Sequence, residues 1–393
     1  MQPSIKIING QLITPHRIIT GGSLLIAGGK IAQVSEAEIT SRADIVIDAA
    51  GKYVSPGFID MHVHGGGGAD FMDGTTDAFL TIAQTHARYG TTAMAPTTLT
   101  AEKEDLLHTL DIYKQAALKN EQGAQFIGMH IEGPYFDMEQ RGAQDPRYIR
   151  HPDEKEYKEI VTCSDGCIAR WSAAPELPGA LDFGRYLRAN NILPAIAHTN
   201  AVYEDVVKAV ENGYTLATHF YSSMSGVMRR NAFRYAGVIE SVYLIDEIDA
   251  EIIADGVHLP APLLKLICKV KGTDRTALIT DAMRAAGMPP GESILGAKDH
   301  GLKVIVEDGV AKLPDRSAFA GSVATADRLV RTMITLAEVS LPEAVKMMTY
   351  VPARIMQLGH RKGLLAAGMD ADVVVFDEGI KVEQVIVGGR MIL

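Results

Sequence analysis

Cysteine is scarce in this chain. Three thiols, Cys163, Cys167 and Cys268, are spread over 393 residues. They are too few for a disulfide framework, and the Cys163 and Cys167 pair has no counterpart elsewhere to complete a zinc knuckle, so they read as ordinary thiols. Positive charge is also short. With 38 Lys and Arg against 48 Asp and Glu, the net charge is -10 and the pI near 5.7, which argues against nucleic acid as the main partner while leaving room for a small anion held by a local basic cluster. No run approaches the roughly 20 apolar residues of a membrane helix, and residues 1–13 have neither the basic start nor the apolar centre of a signal peptide. Internal repeats, charge blocks and low-complexity tracts are missing as well. These absences leave the expectation of a soluble, cytoplasmic globular protein with no nucleic-acid and no membrane partner.

What is present is a large apolar fraction and a regular alternation. At 47% hydrophobic, the chain can bury a large core, and it is too long for one compact unit of about 150 residues, so a large domain with a smaller one is expected. Eight strand-like runs follow one another at residues 59–64, 91–98, 126–132, 167–176, 192–198, 216–221, 251–258 and 276–281, most of them separated by helix-length stretches. Strands alternating with helices predict βαβ units and a parallel sheet, and eight units in this length favour an α/β fold of the (β/α)₈ TIM-like barrel type over a doubly wound sheet. Most of these runs end in groups that bind metals or move protons: His62 and His64, Glu132, His198, His219, His258 and Asp281. The C-terminal rim of such a barrel is where its chemistry sits.

Both chain ends have a different character. Short strand-like runs at 5–8, 22–27, 30–34 and 45–47 are punctuated by Asn9-Gly10, Gly21-Gly22 and Gly28-Gly29, and two further runs, 372–376 and 382–387, follow a helical stretch at 341–358. The two ends are expected to share one small β-sandwich domain, because isolated hairpins are marginal in water. The expected division is 1–55 and 359–393 for that domain and 56–358 for the barrel. The polar segment 137–159 falls where a long loop over the site is expected.

Residue chemistry sharpens the rim. His62 and His64, two apart on a strand, point to one face, so two imidazoles converge. Glu132 stands between an apolar run and the rigid Gly133-Pro134 turn, and a carboxylate there can bridge two divalent ions. His130, two residues before it, reads as a core or supporting group. A lone histidine on an apolar strand is more often a hydrogen-bonded core residue than a ligand, but His198 and His219 on successive strand ends shift that balance. Asp281, alone among apolar neighbours, needs a cation, a water or a donor. Together these groups suit metal-assisted hydrolysis, with a carboxylate taking a proton from activated water and delivering it to a leaving nitrogen. Amide cleavage fits best.

Over nearly its full length the chain resembles the amidohydrolase superfamily, through the segment 56–64 (PGFIDMHVH) and the return to the β-domain at 363–372 (GLLAAGMDAD). Within that superfamily, the segments 130–134, 197–201, 218–219, 254–258, 278–282 and 320–322 look like the N-acetylglucosamine-6-phosphate deacetylase family. No strand-four lysine is evident, which disfavours the hydantoinase and dihydroorotase branch. The resemblance implies that Glu132, His198 and His219 hold a principal metal, His62 and His64 a second one, and that Asp281 is the acid and base. One or two divalent ions per subunit are implied, with Zn²⁺ placed first and Fe²⁺, Mn²⁺ or Co²⁺ also suited to this ligand set. It further implies substrate contacts at Ala143, Gln144, Ser222, Ser223, Arg230, His258, Phe319, Ala320 and Gly321, an amino-sugar phosphate as substrate, and a homodimer with the neighbouring subunit near the phosphate end. Two departures stand out. Ser222-Ser223 replaces the family's Asn-Ala pair, with Arg230 at the arginine's position and Arg229 and Arg234 close by, and Gln144 stands where many relatives have histidine. The alternatives are a deacetylase for the galacto epimer or for an unphosphorylated sugar, and, from another class, a barrel scaffold without catalysis.

Overall fold

Runs buried on both faces take the parallel arrangement, in which crossover helices cover one face and packed side chains or further helices cover the other. In the computed structural model, which describes residues 2–393, eight buried strands do so among the described residues: β1 (Phe58–Val63), β2 (Thr91–Pro96), β3 (Met129–Glu132), β4 (Ile168–Ala173), β5 (Leu193–Ile196), β6 (Leu216–Ala217), β7 (Asp249–Ile252) and β8 (Thr276–Leu278), and a two-residue, half-buried strand, Gln125–Phe126, pairs parallel beside β2. β1 pairs with β2, and β3 to β8 form one parallel sheet in chain order. An isolated bridge between Thr97 and His130 joins the end of β2 to β3, and another between Val63 and Ala282 joins β1 to the residues beyond β8. The fold is mixed α/β with a curled parallel sheet and a separate terminal sheet.

A helix follows β1 to β7 in turn, at Thr76–Ala87, Lys103–Lys119, Glu154–Cys163, Ala180–Ala189, Tyr203–Glu211, Val238–Leu244 and Ala261–Val270. Two of these starts are fixed by side-chain caps: Thr75 accepts from the Ala78 N–H and Asp153 from the Glu156 N–H. Each helix buries one apolar stripe on the strands, as Phe79 and Ile82 of the first do, and full burial of such a side chain contributes about 1.5–3 kcal/mol. On the inner side, Met61, Ala95, Ala195, Leu216 and Ala277 pack together with Val351 and Ile355 as an apolar plug. A polar layer also lies on the inner side. Arg170 of β4 pairs with Glu251 of β7 and donates to the Met61 carbonyl and Thr218 Oγ1, both partners being fully buried. His130 stands against Ser172 Oγ at 2.7 Å and Thr97 Oγ1 at 3.2 Å, and burial with the Arg170 charge beside it holds its pKa well below the usual histidine value.

Strands from both chain ends make the second sheet. Its order runs Arg390–Met391, Val382–Val387, Val373–Phe376, Tyr53–Pro56, Ile5–Ile13, Ile18–Ala27, Lys30–Ser35, with Ile45–Asp48 paired beside Ile5–Ile13. Alternating inward residues Ile5, Ile7, Leu24, Ile26, Val373 and Val375 form one core there.

Three expectations about elements change. The strands are shorter than the apolar runs, so His258 lies not on a strand but in the loop six residues beyond β7. The helical stretch 341–358 breaks at Thr349 into Leu341–Met348 and Tyr350–Ile355, since Thr349 leaves helical geometry at φ -132° and ψ -76°. After β8 an unanticipated four-stranded antiparallel sheet intervenes (Gly291–Leu295, Leu302–Glu307, Val310–Lys312, Phe319–Ser322). Its central hairpin turns through Asp308-Gly309, both at positive φ, a turn signal that the sequence carried.

Candidate active site

The site residues stand where the parallel strands stop. His64 follows β1 directly, His198 and His219 lie two residues past β5 and β6, and Asp281 lies three past β8. His198, His219 and Asp281 have φ of 47°, 33° and 46°. Left-handed backbone at non-glycine residues costs on the order of 1–3 kcal/mol and persists only where surroundings over-determine it. Here they do: the Asp281 N–H donates to the His62 carbonyl, the Asp281 carbonyl accepts from the Ser322 N–H, and the Thr199 N–H donates to the Ser223 carbonyl. Gly142 brings the 137–153 loop onto this rim; a Cβ on it would lie 2.9 Å from Ser223 Oγ.

Glu132 sits at the centre. Its Oε1 is 3.0 Å from His219 Nε2 and 3.5 Å from the Nε2 atoms of His62 and His198, and its Oε2 is 3.4 Å from His64 Nε2. Two groups share it, His62 with His64 and His198 with His219, and in each the three ligand atoms lie within 4.8 Å of one another. His198 donates Nδ1–H to the Gln140 carbonyl at 2.8 Å, which leaves the Nε2 lone pair facing His219 and Glu132. Imidazole nitrogens 3.1–3.2 Å apart, aimed at one carboxylate in a buried setting, form a donor set that fits a divalent transition-metal ion. Asp281 Oδ1 lies 3.1 Å from His64 Nε2 and 3.4 Å from His62 Nε2.

Burial opposes every charge here, and its contest with the opposite charges ends differently from group to group. On Glu132 burial is overcome by His62, His198 and His219, and the carboxyl is held well below its usual range. Burial is likewise overcome on Asp281, by His62 and His64, which hold it low. Burial prevails on His62, whose pKa falls. On His64 it yields to Asp281 and Glu132, which raise the imidazole to about 9.

A cavity of about 250 Å³ opens over this cluster, walled by His64, Glu132, His198, His219 and Asp281. Ala143, Gln144, Ser222, Ser223, His258, Phe319 and Gly321 line it as well. His258 is oriented: its Nδ1–H donates to Asp255 Oδ2 at 2.8 Å, and Asp255 Oδ1 accepts the N–H groups of Val257 and His258. Two expected contacts lie elsewhere. Ala320 is fully buried and does not line the cavity, because neighbours on the strand Phe319–Ser322 face opposite sides. Arg230 lies on the hairpin formed by Met228–Arg230 and Phe233–Tyr235, exposed, with its guanidinium 5.6 Å above the Tyr235 ring. Sequence reasoning missed Leu99, Gly142, Leu295 and Ala318 in the walls. It also missed Asp255 behind His258, whose signal was its place three residues ahead on the same loop.

The amidohydrolase family model matches residues 53–392. The chain belongs to the amidohydrolase family, a metal-dependent family, and is a hydrolytic enzyme. It is 34% identical over 370 residues to the N-acetylglucosamine-6-phosphate deacetylase of Lysinibacillus sphaericus, covering 92% of this chain and 91% of that one. It is 32% identical to the N-acetylgalactosamine-6-phosphate deacetylase of Escherichia coli O157:H7, with 97% of each covered. Among solved structures, a mutant N-acetyl-D-glucosamine-6-phosphate deacetylase from Mycobacterium smegmatis in complex with N-acetyl-D-glucosamine-6-phosphate superposes with a TM-score of 0.91 at 29% identity, over 99% of both chains. Among the described residues no helix is long and apolar enough to cross a membrane.

Proposed function

We propose that this enzyme removes the acetyl group from N-acetylglucosamine 6-phosphate, giving glucosamine 6-phosphate and acetate in amino-sugar catabolism. The observation that carries this reading is the convergence of His62, His64, His198 and His219 on Glu132 beside Asp281, at the floor of a cavity of sugar-accommodating walls. The named relatives supply the substrate. Glu132, His198 and His219 would hold one ion and His62 and His64 a second, with Zn²⁺ as the first choice. A divalent ion held there polarises a carbonyl as a Lewis acid and lowers the pKa of water. The chain's own groups do the rest. Asp281, held ionised beside His64, accepts a proton and delivers it to the leaving nitrogen. His258, its ring fixed by Asp255, orients the acyl oxygen or a sugar hydroxyl, while Ser222, Ser223 and Gly321 flank the sugar.

The same proposal takes the parallel sheet as a closed (β/α)₈ barrel of residues 56–358, supported by the Thr97–His130 and Val63–Ala282 bridges, and 1–55 with 359–393 as a small β-sandwich domain. The setting is a cytoplasmic homodimer, in which the exposed hairpin bearing Arg229, Arg230 and Arg234 is the cationic segment available to a phosphate on the neighbouring subunit. The decisive experiment pairs metal analysis of the isolated protein with acetate release from N-acetylglucosamine 6-phosphate before and after chelation. Activity is expected to vanish with the metal and return on its readdition; activity surviving full removal defeats the mechanism.

One observation favours a second reading. Among the described residues no Lys or Arg lines the cavity, which suits an unphosphorylated N-acetyl-hexosamine. Comparing phosphorylated and free N-acetyl-hexosamines, gluco and galacto, decides between them. A preference for phosphate that Arg230→Ala abolishes supports the first reading, and activity confined to the free sugar supports the second.

A further inference from the structure

Gln144 meets the site in a way that a substrate contact alone does not explain. Its side chain is almost fully buried, and its polar atoms are engaged inside the protein. Oε1 accepts from the Thr100 N–H at 2.9 Å and from Thr100 Oγ1 at 2.8 Å, and Nε2 donates to Glu132 Oε2 at 2.8 Å. A backbone N–H only donates, so the amide oxygen must face Thr100 and the amide nitrogen must face Glu132. The amide therefore clamps the loop after β2 and the 137–153 loop onto one oxygen of the central carboxylate.

That oxygen has a defined direction. Glu132 Oε1 faces His219 at 3.0 Å, and Oε2 faces His64 at 3.4 Å. The terminal torsion of a glutamate is broad, and among the described residues no other amide, hydroxyl or guanidinium donates to this carboxylate. Without the Gln144 bond, rotation about that torsion carries both oxygens off their histidine groups together. We propose that Gln144 is a positioning residue of the metal centre: it fixes the Glu132 carboxylate plane so that Oε1 stays aimed at His219, His198 and His62 while Oε2 stays aimed at His64. The inference rests on the reading of Glu132 as a ligand shared by two groups. Outer partners of metal ligands typically set affinity by about 10–100-fold.

The test uses apoprotein titrated with Co²⁺ alone, without substrate, reading affinity by competition with a chelating dye and geometry by the visible absorption of the bound ion. Gln144→Leu is expected to weaken Co²⁺ binding by about 10–100-fold and to change the absorption. Gln144→Asn keeps an amide but withdraws it by one methylene, so it moves both readouts the same way and serves where the leucine variant does not fold. A folded Gln144→Asn protein with unaltered Co²⁺ affinity and absorption, and only a raised KM, overturns the inference and leaves Gln144 as a substrate contact. Glu132→Ala separates the two levels. If it binds Co²⁺ as well as the unaltered protein does, the reading of the metal centre falls and takes this inference with it; if it loses the ion while both Gln144 variants keep it, only the positioning role falls.

Discussion

The terminal sheet and the strand-end site use burial in opposite ways. In the terminal sheet the buried side chains are mostly aliphatic, Lys52 pairs with Glu383 at the partly exposed margin, and one buried ion pair, Lys362 with Asp372, stands beside the strand Val373–Phe376. At the site, burial and charge coincide: Glu132, His62, His64 and Asp281 are buried and lie within 3.5 Å contacts of one another. Removing apolar area from the first region takes away stability, whereas the second is held together against desolvation by mutual attraction and by the ion its ligands suit. The two regions are therefore expected to fail differently, one by unfolding and the other by losing chemistry while staying folded.

The largest effect is expected at Asp281. Asp281→Asn keeps the side-chain shape and removes the carboxylate proposed to take the proton, so turnover is expected to fall by roughly 10²–10⁴-fold with metal content and unfolding temperature nearly unchanged. Steady-state kinetics with metal analysis checks it; near-normal rates reassign the base. The converse experiment is Ile7→Ala in the terminal sheet, where Ile7 is fully buried. Such a truncation costs about 2–5 kcal/mol of stability and should leave turnover per folded molecule intact. A loss of turnover in fully folded Ile7→Ala protein breaks the contrast.

How much of each region could be read in the sequence follows the same divide. The terminal strands were legible because alternation such as Ile5, Ile7 has period two and turn residues bound it. The histidines that converge on Glu132 were legible because polar groups that end apolar runs are anomalous there. Chain direction and long-range pairing were harder. Arg230 sits at the right spacing for the site, yet it lies exposed on a hairpin and does not line this chain's own cavity. Glu251 and Arg170 were passed over because a charge pair sealed inside a sheet leaves no mark in either strand alone. The four-stranded insertion was missed because its strands are short and half exposed, so their periodicity is weak.

Asp255 tests orientation without touching the metal. Its Oδ1 accepts two backbone N–H groups, so in Asp255→Asn the amide oxygen must take that place and the amide nitrogen must face His258 Nδ1. Two donors then oppose each other, and the imidazole is driven to the other tautomer. A hydrogen bond to a charged group is worth about 1.5–3 kcal/mol, so kcat/KM is expected to fall about 10–100-fold with Co²⁺ affinity unchanged. An Asp255→Asn variant with unaltered kcat/KM separates His258 from the reaction.

The last effect is a slope, and it needs no substitution. In the metal-free protein Asp281 and Glu132 raise His64, against burial, to about 9, so below that pH a proton occupies the nitrogen that a metal needs. Metal affinity at the His62 and His64 group should then weaken about tenfold for each unit of pH below 9, one proton being displaced per ion. The apoprotein must show the opposite slope. Because the folded-state value lies above the ordinary 6.5, protonated His64 adds stability that is complete below 6.5 and is lost as pH rises through about 9. Glu132 and Asp281 are depressed, so their contribution fails only on acidification below the ordinary carboxylate range and adds nothing in this window. Chelator competition and apoprotein unfolding, each followed between pH 6.5 and 9, should therefore run in opposite directions. A flat affinity profile over that interval means that His64 binds no proton there, and the electrostatic account of the cluster has to be redrawn.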